Sequence, residues 1–438
     1  MDDRASKTRV VPRRRLAAGI ALLSLFAHPA HADLPPDGEI GTTRLRYSVV
    51  MPPMRFDAPA PLVALGEQIF FDAALSEPRG LSCAGCHDPR RAFSGTRASE
   101  RGVAAGSRPD RFGTRNVPSL LYVRYVPPLY FWQDDDDHPA PEPRGGLFAD
   151  GRVDTLAALP ATPLLSPLEM NNRDAATIAR KLARAPYAKD FVAAFGADIF
   201  ARPDATLAAL GRAIAAYLQS DTMAPFSSRY DAYIRGQATL SAEEMRGLAL
   251  FRSQTKGNCA SCHAFNDSSS HPARSLFTDF GYDATAAPRN GGIPLNRDRR
   301  HYDLGLCETA SARSWPESAT WCGYFRTPGL RNVAVRARYM HNGAFRDLRS
   351  VVAFYATRAT SPRQWYPSGV RFDDLPAALR VNVNVNAVPY NRREGASPAL
   401  DERDVDAIVA FLRTLTDAPY VSMMPASSSQ PAVATVQR

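Results

Sequence analysis

The amino-acid sequence predicts an all-α fold that is built from two related modules. Apolar residues mostly recur with the period of a helix, alternating strand patterns are scarce, and one motif arrangement occurs twice. The 438 residues are 45% hydrophobic and 22% charged, which allows two or three domains with buried cores. No apolar run reaches the roughly 18 residues that a membrane-spanning helix needs, so we expect no integral membrane protein.

The repeat consists of an apolar helical segment followed by two cysteines and a histidine. Residues 66–70 precede the first such group at 83–87, and residues 247–251 precede the second at 259–263. The tripeptide Arg-Asn-Val then follows in both halves of the chain. This internal repetition predicts two modules that are related by duplication. We place them at residues 33–225 and 226–421.

Further elements are predicted from local patterns. Ser241 and Glu244 have the spacing of a capping box, which marks the start of a helix. Helices are also expected over residues 180–195 and 207–218, and after Asp401, which is a suitable N-cap. Val405, Ile408, Val409, Leu412 and Leu415 form the apolar face of that last helix.

Three segments are expected to lack helical structure. Residues 381–385 alternate between valine and asparagine, which fits either a strand or an extended loop. Residues 133–146 are rich in Asp and Pro and predict a polar loop. Residues 422–438 form a Ser-, Ala- and Pro-containing tail that we expect to be disordered.

The first 32 residues have the features of a secretory signal peptide. Basic residues precede an apolar stretch at 16–26, and Ala30 and Ala32 provide small residues for cleavage before Asp33. A short buried helix is the alternative, but Pro29 and the flanking charges disfavour it. We therefore expect export, to the periplasm if the source is a bacterium. The chain has a net charge of +9, but its basic residues are not clustered beyond this segment. Nucleic acid is therefore not an expected partner.

Cys-x-x-Cys-His is the signature for covalent attachment of c-type haem, and it occurs twice. A zinc site is the first alternative, but the two cysteine pairs are too far apart for ordinary zinc-module spacing. A thioredoxin-like redox pair is the second, but that chemistry does not require the histidine that follows both pairs. We predict two covalently bound c-type haems. The residues that would hold them are Cys83, Cys86, His87, Cys259, Cys262 and His263.

The two remaining cysteines, Cys307 and Cys322, have neither a histidine neighbour nor the Cys-x-x-Cys spacing. In an oxidising compartment such cysteines tend to pair. We therefore expect a disulfide bond with a structural role.

With its two haem motifs, the chain resembles the bacterial diheme cytochrome c peroxidases and the related MauG branch over about residues 57–420. The resemblance implies an all-α fold of two cytochrome c-like domains, with two haems and a calcium ion near the domain interface. It also implies hydrogen peroxide as a substrate. Family members are often homodimers, and the sequence leaves the oligomeric state open. The matching segments are residues 83–87, 115–118, 148–152, 166–170, 259–263, 327–333 and 339–343.

The family resemblance bears on the distal side of the first haem. In the cytochrome c peroxidase branch a histidine about sixteen residues after the first motif caps the iron, but residues 88–116 contain no histidine here. This favours an iron with an open site, as in the MauG branch; His138 in the acidic loop is the alternative ligand. Glu169 resembles the family's distal acid, although a salt-bridge role is also compatible with its position. Pro163 matches a proline over the distal pocket.

For the second haem, the resemblance points to a tyrosine ligand. Tyr355 lies fourteen residues after His341, at the position where the MauG branch has its axial tyrosine. An anionic oxygen ligand is expected to lower the haem potential. Tyr355 also fits a helical stripe with Leu348 and Val352, so it can equally be a core residue, and Met340 is the alternative ligand.

The resemblance also assigns a calcium site. Asn116 matches the side-chain ligand of the family, and the carbonyl groups of Arg336 and Arg338 match its backbone ligands. Oxygen donors of this kind suit Ca²⁺.

Two positions depart from the family pattern. Ala149 stands where the family has a tryptophan between the haems, and Leu159 replaces a distal glutamine. Phe148 or Trp132 are alternative aromatic bridges. The resemblance links rapid sharing of oxidising equivalents between the haems to such a bridge.

Taken together, these residues predict an exported haem peroxidase that draws electrons from a periplasmic protein. In the MauG branch that protein is a substrate which becomes oxidatively modified. In the cytochrome c peroxidase branch it is a small cytochrome or cupredoxin that donates electrons. A non-enzymatic electron-transfer cytochrome is the third alternative, and it predicts two six-coordinate low-spin haems.

Overall fold

The computed structural model describes residues 57–95, 101–134, 138–265 and 275–425. The predicted signal peptide at residues 1–32 lies outside these ranges, as does most of the predicted tail. The described start of that tail is ordered, since a 3-10 turn extends over Ala418–Met423. Within the described ranges, no helix has the length and apolar character needed to cross a membrane.

Helices form most of the regular structure in the first half of the chain. The prediction of one helix over residues 180–195 is wrong, because the chain forms two helices with a break at Pro186. Proline lacks an amide hydrogen and disfavours helical backbone at the preceding residue, Ala185, so the helix cannot continue. The helices are α1 (Ala60–Phe71), α2 (Cys83–Cys86), α3 (Ala161–Leu165), α4 (Ala175–Leu182), α5 (Ala188–Phe195), α6 (Pro203–Gln219) and α7 (Arg229–Ile234).

The second half also contains predicted helices. The capping box of Ser241 and Glu244 is confirmed, and Asp401 caps the last helix as expected. Residues 381–385 form no strand; a 3-10 turn covers Ala377–Asn382, and Val381 is 84% exposed. The helices are α8 (Ala242–Arg252), α9 (Leu348–Thr357), α10 (Pro362–Trp365) and α11 (Glu402–Arg413).

Two short antiparallel sheets accompany the helices, so the fold is mainly but not purely helical. Strand β1 (Tyr130–Asp134) pairs with β2 (His138–Arg144), and β3 (Tyr282–Asp283) pairs with β4 (Phe325–Arg326). The expectation of a polar loop at residues 133–146 is therefore wrong. The aromatic start of β1 has high strand propensity, and this outweighs the proline residues of β2, which are tolerated at an edge.

The same helix packing occurs in both halves of the molecule. Helix α1 packs on α6, and α8 packs on α11. A Cβ atom at Gly66 would lie 1.9 Å from the carbonyl oxygen of Ala213, and one at Gly247 would lie 1.9 Å from that of Ala407. The glycine of each repeated segment therefore permits a close helix crossing. Two hydrophobic clusters surround these helix pairs.

Candidate haem site

A large cavity of about 510 Å³ brings the two repeated motifs together. Both cysteine pairs and both motif histidines lie on its wall, and the four motif cysteines form no disulfide. Burial raises the pKa of Cys83, Cys86 and Cys259 to about 12. Such thiols remain protonated at neutral pH, whereas a reactive redox cysteine needs a readily formed thiolate. The environment therefore suits thioether formation better than a reactive redox pair.

The two motif histidines are held in the orientation that iron ligands need. His87 Nδ1 lies 3.2 Å from the carbonyl oxygen of Phe93 and 3.1 Å from that of Pro118. His263 Nδ1 lies 3.0 Å from the carbonyl oxygen of Phe277. Because Nδ1–H donates to these carbonyl groups, the lone pair of Nε2 is left to bind a metal. Burial lowers the pKa of both histidines to about 4, so both are neutral at pH 7.

Two arginine side chains on the cavity wall give a second sign of the expected cofactor. Arg326 Nε donates to the carbonyl oxygen of Phe148 at 3.2 Å, and Arg336 Nη2 donates to that of Val117 at 3.0 Å. Burial lowers the pKa of both guanidinium groups, and neither forms an ion pair with a carboxylate in the described part of the chain. An enclosed cation without a directly paired carboxylate is costly. Haem propionates would supply that charge, so the cavity fits haem.

Glu169 lies on the cavity wall on the side of the first motif. Its negative charge acts on the Cys86 thiol, which places the two groups close together. Burial raises the pKa of Glu169, while the Arg152 charge and a hydrogen bond with Ser166 partly oppose this. A carboxyl group placed on the cavity wall in this way can accept and return a proton.

Other predicted residues of this side are also on the wall. Pro163, which matches the family proline, lines the cavity. So does Leu159, which stands where the family has a glutamine. His138 begins strand β2, and its side chain lies outside the described part. His341 lines the cavity as well, but its Nε2 is only 3.8 Å from Asp374 Oδ2.

Two tyrosine side chains line the cavity on the side of the second motif. Tyr355, on α9, lies near Cys259 and Cys262, and all three residues line the cavity. Tyr390 stacks on it with ring centroids 5.9 Å apart. Burial raises the pKa of Tyr355 and Tyr390. Met340 lies on the same wall, so the structure brings both predicted alternatives for the second ligand to the cavity.

The position between the motifs is occupied by residues that sequence reasoning missed. The backbone amide of Arg326 donates to the carbonyl oxygen of Ala149 at 2.7 Å, so strand β4 contacts the position where the family has a tryptophan. The preceding residue, Phe325, stacks on His341 with ring centroids 3.6 Å apart and an interplanar angle of 9°. The rings of Phe325 and His341 both line the cavity. Of the two predicted bridge residues, Phe148 also lines the cavity and Trp132 does not.

The predicted calcium ligands converge on a separate small cavity. It has a volume of about 10 Å³, which is the scale of one water molecule, and Asn116, Arg336 and Arg338 are among its lining residues. The Asn116 amide nitrogen donates to the carbonyl oxygens of Arg338 at 3.0 Å and Met340 at 3.2 Å. A half-turn of the amide would instead direct its oxygen towards the same centre. The donors therefore fit a hard cation.

The predicted disulfide bond is confirmed. Cys307 and Cys322 are bonded, with their Cα atoms 4.9 Å apart. The bond closes the segment that leads into strand β4 and hence to Phe325.

Comparisons with known proteins identify the family. Residues 60–239 match the family model of di-haem cytochrome c peroxidase, which includes MauG. The methylamine utilization protein MauG of Paracoccus denitrificans is 36% identical over 387 residues, covering 84% of this chain and 91% of that protein. The chain belongs to the diheme cytochrome c peroxidase/MauG family. It is therefore a haem peroxidase, and the predicted recognition is confirmed.

A solved structure and a further relative agree with this assignment. The diheme peroxidase BthA from Burkholderia thailandensis is 55% identical, with a TM-score of 0.81, and the match covers 86% of this chain and 92% of that one. The cytochrome-c peroxidase IdrP2 of Denitromonas iodatirespirans is 25% identical over 347 residues, which is 76% of this chain and 83% of that protein.

Proposed function

We propose that this protein is an exported peroxidase that reduces hydrogen peroxide at the haem held by His87. His263 would hold a second haem, which would supply electrons taken from a partner protein. Each turnover combines hydrogen peroxide with two electrons and two protons and releases two water molecules. The observation that carries the proposal is the carboxyl group of Glu169 on the cavity wall beside the first motif, which we propose as the proton-transfer group.

The haem iron supplies the site at which the peroxide O–O bond breaks. His87 holds the proximal side, fixed by its two carbonyl acceptors. Glu169 takes the proton of the bound peroxide oxygen and returns it to the departing oxygen, so that water leaves instead of hydroxide. Pro163 and Leu159 provide apolar wall that limits the water around this proton transfer.

The second site is proposed to store and transfer charge. Tyr355 is the proposed second ligand, because its phenol lies on the same wall as the second cysteine pair. A phenolate ligand lowers the haem potential and so stabilises the oxidised state of that haem. With its ligand positions filled, this site would have no place for peroxide.

Oxidative modification of a protein substrate is the second candidate function. It is favoured by Tyr355 and by the absence of a histidine in residues 88–116, which are the features shared with the MauG branch. Incubation with peroxide and a candidate exported protein distinguishes the two functions. A mass change in that protein supports modification, whereas reversible oxidation of a small cytochrome or cupredoxin supports electron donation.

The resting ferric protein provides the direct test of the proposed peroxidase. Electron paramagnetic resonance and absorption spectra should show one high-spin haem with an open site and one low-spin haem. Two low-spin haems, in every redox state, would leave peroxide without a binding site and would support a simple electron-transfer cytochrome.

Calcium binding at Asn116 is part of the proposal. Chelation should alter the haem spectra, and added Ca²⁺ should restore them. Asn116→Ala should weaken binding, while Asn116→Asp should strengthen it because it adds a negative charge to the oxygen donors. Equal calcium affinity in both variants would argue against ligation by this side chain.

Export and domain organisation complete the proposal. The signal peptide at residues 1–32 predicts a mature N-terminus at Asp33, which protein sequencing of the secreted product checks. Limited proteolysis tests the proposed boundary between modules 33–225 and 226–421, and light scattering tests for a homodimer.

A further inference from the structure

The disulfide-closed loop contains a series of aromatic rings that the proposed mechanism does not use. Trp315 and Trp321, two of the chain's four tryptophans, lie between Cys307 and Cys322. Their ring centroids are 6.5 Å apart, and Trp321 lies 5.3 Å from Tyr324 in an edge-on arrangement. This places three oxidisable side chains in succession.

The inner end of the series reaches the haem cavity. Tyr324 is followed directly by Phe325, whose ring lines the cavity and stacks on His341 at 3.6 Å. The ring of Tyr324 is also close enough to Asp283, another lining residue, for the Asp283 charge to act on its phenol. The series therefore begins at the cavity wall near the second motif.

The outer end reaches the protein surface. Phe131 of β1 contacts Trp315 with ring centroids 4.6 Å apart, and Phe131 is 47% exposed. Trp315 itself is partly exposed. The series thus runs from Tyr324, which directly precedes the cavity-lining residue Phe325, to the solvent beside the β1–β2 hairpin.

Core packing does not explain this arrangement. The two hydrophobic clusters of the described residues include neither Trp315 nor Trp321, and Trp321 is only partly buried. The fourth tryptophan, Trp365, shows the contrast, since it is fully buried within the second cluster.

We propose that Trp321 and Trp315 conduct single electrons between the second haem site and the surface. This inference rests on the proposed peroxidase function, which supplies the oxidant. One electron leaves the Trp321 indole for the oxidised haem site by way of the Tyr324 ring and the covalent link to the neighbouring residue, Phe325. Trp315 then donates an electron to oxidised Trp321, and a one-electron donor in solution reduces Trp315. A proton that an oxidised indole releases from its N–H group returns when the indole is reduced. No other bond forms or breaks, and two such transfers supply the two electrons for one peroxide.

Trp132 provides a matched control on the same hairpin. The Arg144 guanidinium lies 3.9 Å from the centre of its ring. A cation at this distance stabilises the neutral indole and opposes loss of an electron from it. Its replacement should therefore leave electron transfer unchanged.

The test compares Trp321→Phe, Trp315→Phe and Trp132→Phe in the full-length protein with both haems. Each is mixed with hydrogen peroxide without a donor, frozen rapidly and examined by electron paramagnetic resonance. The wild type and Trp132→Phe should show a tryptophan radical, and Trp321→Phe should show at least tenfold less. Peptide mass mapping should find oxygen added at Trp315 in the wild type and much less in Trp321→Phe.

The outcomes separate this inference from the proposed function. Peroxide consumption with an equal radical yield in Trp321→Phe and the wild type would overturn the conduit alone. Failure of the wild type to consume peroxide would overturn both. Unchanged haem absorption spectra in each variant establish that the protein has folded and that a lost radical reports the missing ring. Trp315→Phe supplies an independent break in the same series.

Discussion

The two motif sites share their attachment chemistry but differ in the rest of the cavity wall. In both, two cysteines precede a histidine whose Nδ1 faces backbone carbonyl oxygens. Around the first motif lies a carboxyl group, Glu169, with a raised pKa. Around the second lie two stacked phenols, Tyr355 and Tyr390. The difference teaches that the motif fixes where a haem is held, while residues distant in sequence set what each haem does.

The largest effect on peroxide turnover is expected when the carboxyl group of the first site is removed. Glu169→Gln keeps the shape but cannot accept a proton, so kcat/KM for peroxide should fall about 10²- to 10⁴-fold, the range for general acid–base catalysis. Steady-state peroxide consumption measures this. Glu67→Gln, at an exposed position on α1, is the control and should match the wild type. A loss of less than threefold in Glu169→Gln would exclude Glu169 as the proton-transfer group.

The next effect tests whether the two halves are packed in the same way. Gly66→Ala and Gly247→Ala each place a Cβ atom 1.9 Å from a backbone carbonyl oxygen, which cannot move independently of its helix. Each should lower the free energy of unfolding by about 3 kcal/mol, since overpacking typically costs about 1–3 kcal/mol or more. Denaturant unfolding measures the loss.

Gly236→Ala is the control for this pair. Gly236 has a φ of +69°, but a Cβ atom added there would meet nothing within 4 Å, so only backbone strain opposes the change. That strain is about 1–2 kcal/mol. Similar losses for Gly66→Ala and Gly247→Ala, both above the control, would sharpen the comparison. A normal stability in only one of them would show that the two helix crossings are not equivalent.

The comparison of the two motif sites also explains which of their residues could be predicted from the sequence. The Cys-x-x-Cys-His motifs were readable because covalent haem attachment requires those residues to be contiguous. The disulfide followed from two leftover cysteines. The capping box of Ser241 and Glu244 could be predicted because its hydrogen bonds join residues three positions apart.

The residues that were missed meet only through the tertiary fold. Tyr390 stacks on Tyr355 across 35 positions of chain with little periodic pattern, so nothing local marks it. Arg326 faces the cavity because β4 pairs with β3, and neither two-residue strand is long enough to show alternation. The β1–β2 hairpin was missed because its acidic and proline residues outweighed the aromatic signal at its start.

A smaller effect is expected at the second site. Tyr355→Phe removes the proposed phenolate and should change the spectrum and potential of the second haem, while the high-spin signal of the first remains. Peroxide turnover should fall by about tenfold, which is the lower end of the activity loss seen when residues around a metal site are replaced. Tyr390→Phe is the matched control and should change the spectrum much less. An unchanged spectrum in Tyr355→Phe would direct attention to Met340 as the ligand.

The smallest effect is a pH shift at the first site. Burial raises the pKa of Glu169 above its ordinary value of 4.5, and the Arg152 charge opposes this rise. Because the carboxylate form accepts the peroxide proton, kcat/KM should fall as the pH drops through this pKa. Arg152→Gln removes the opposing charge, so the acid limb should move to higher pH, whereas Arg152→Lys should leave it nearly in place. A limb that moves to lower pH in Arg152→Gln, or one that persists in Glu169→Gln, would show that another group titrates.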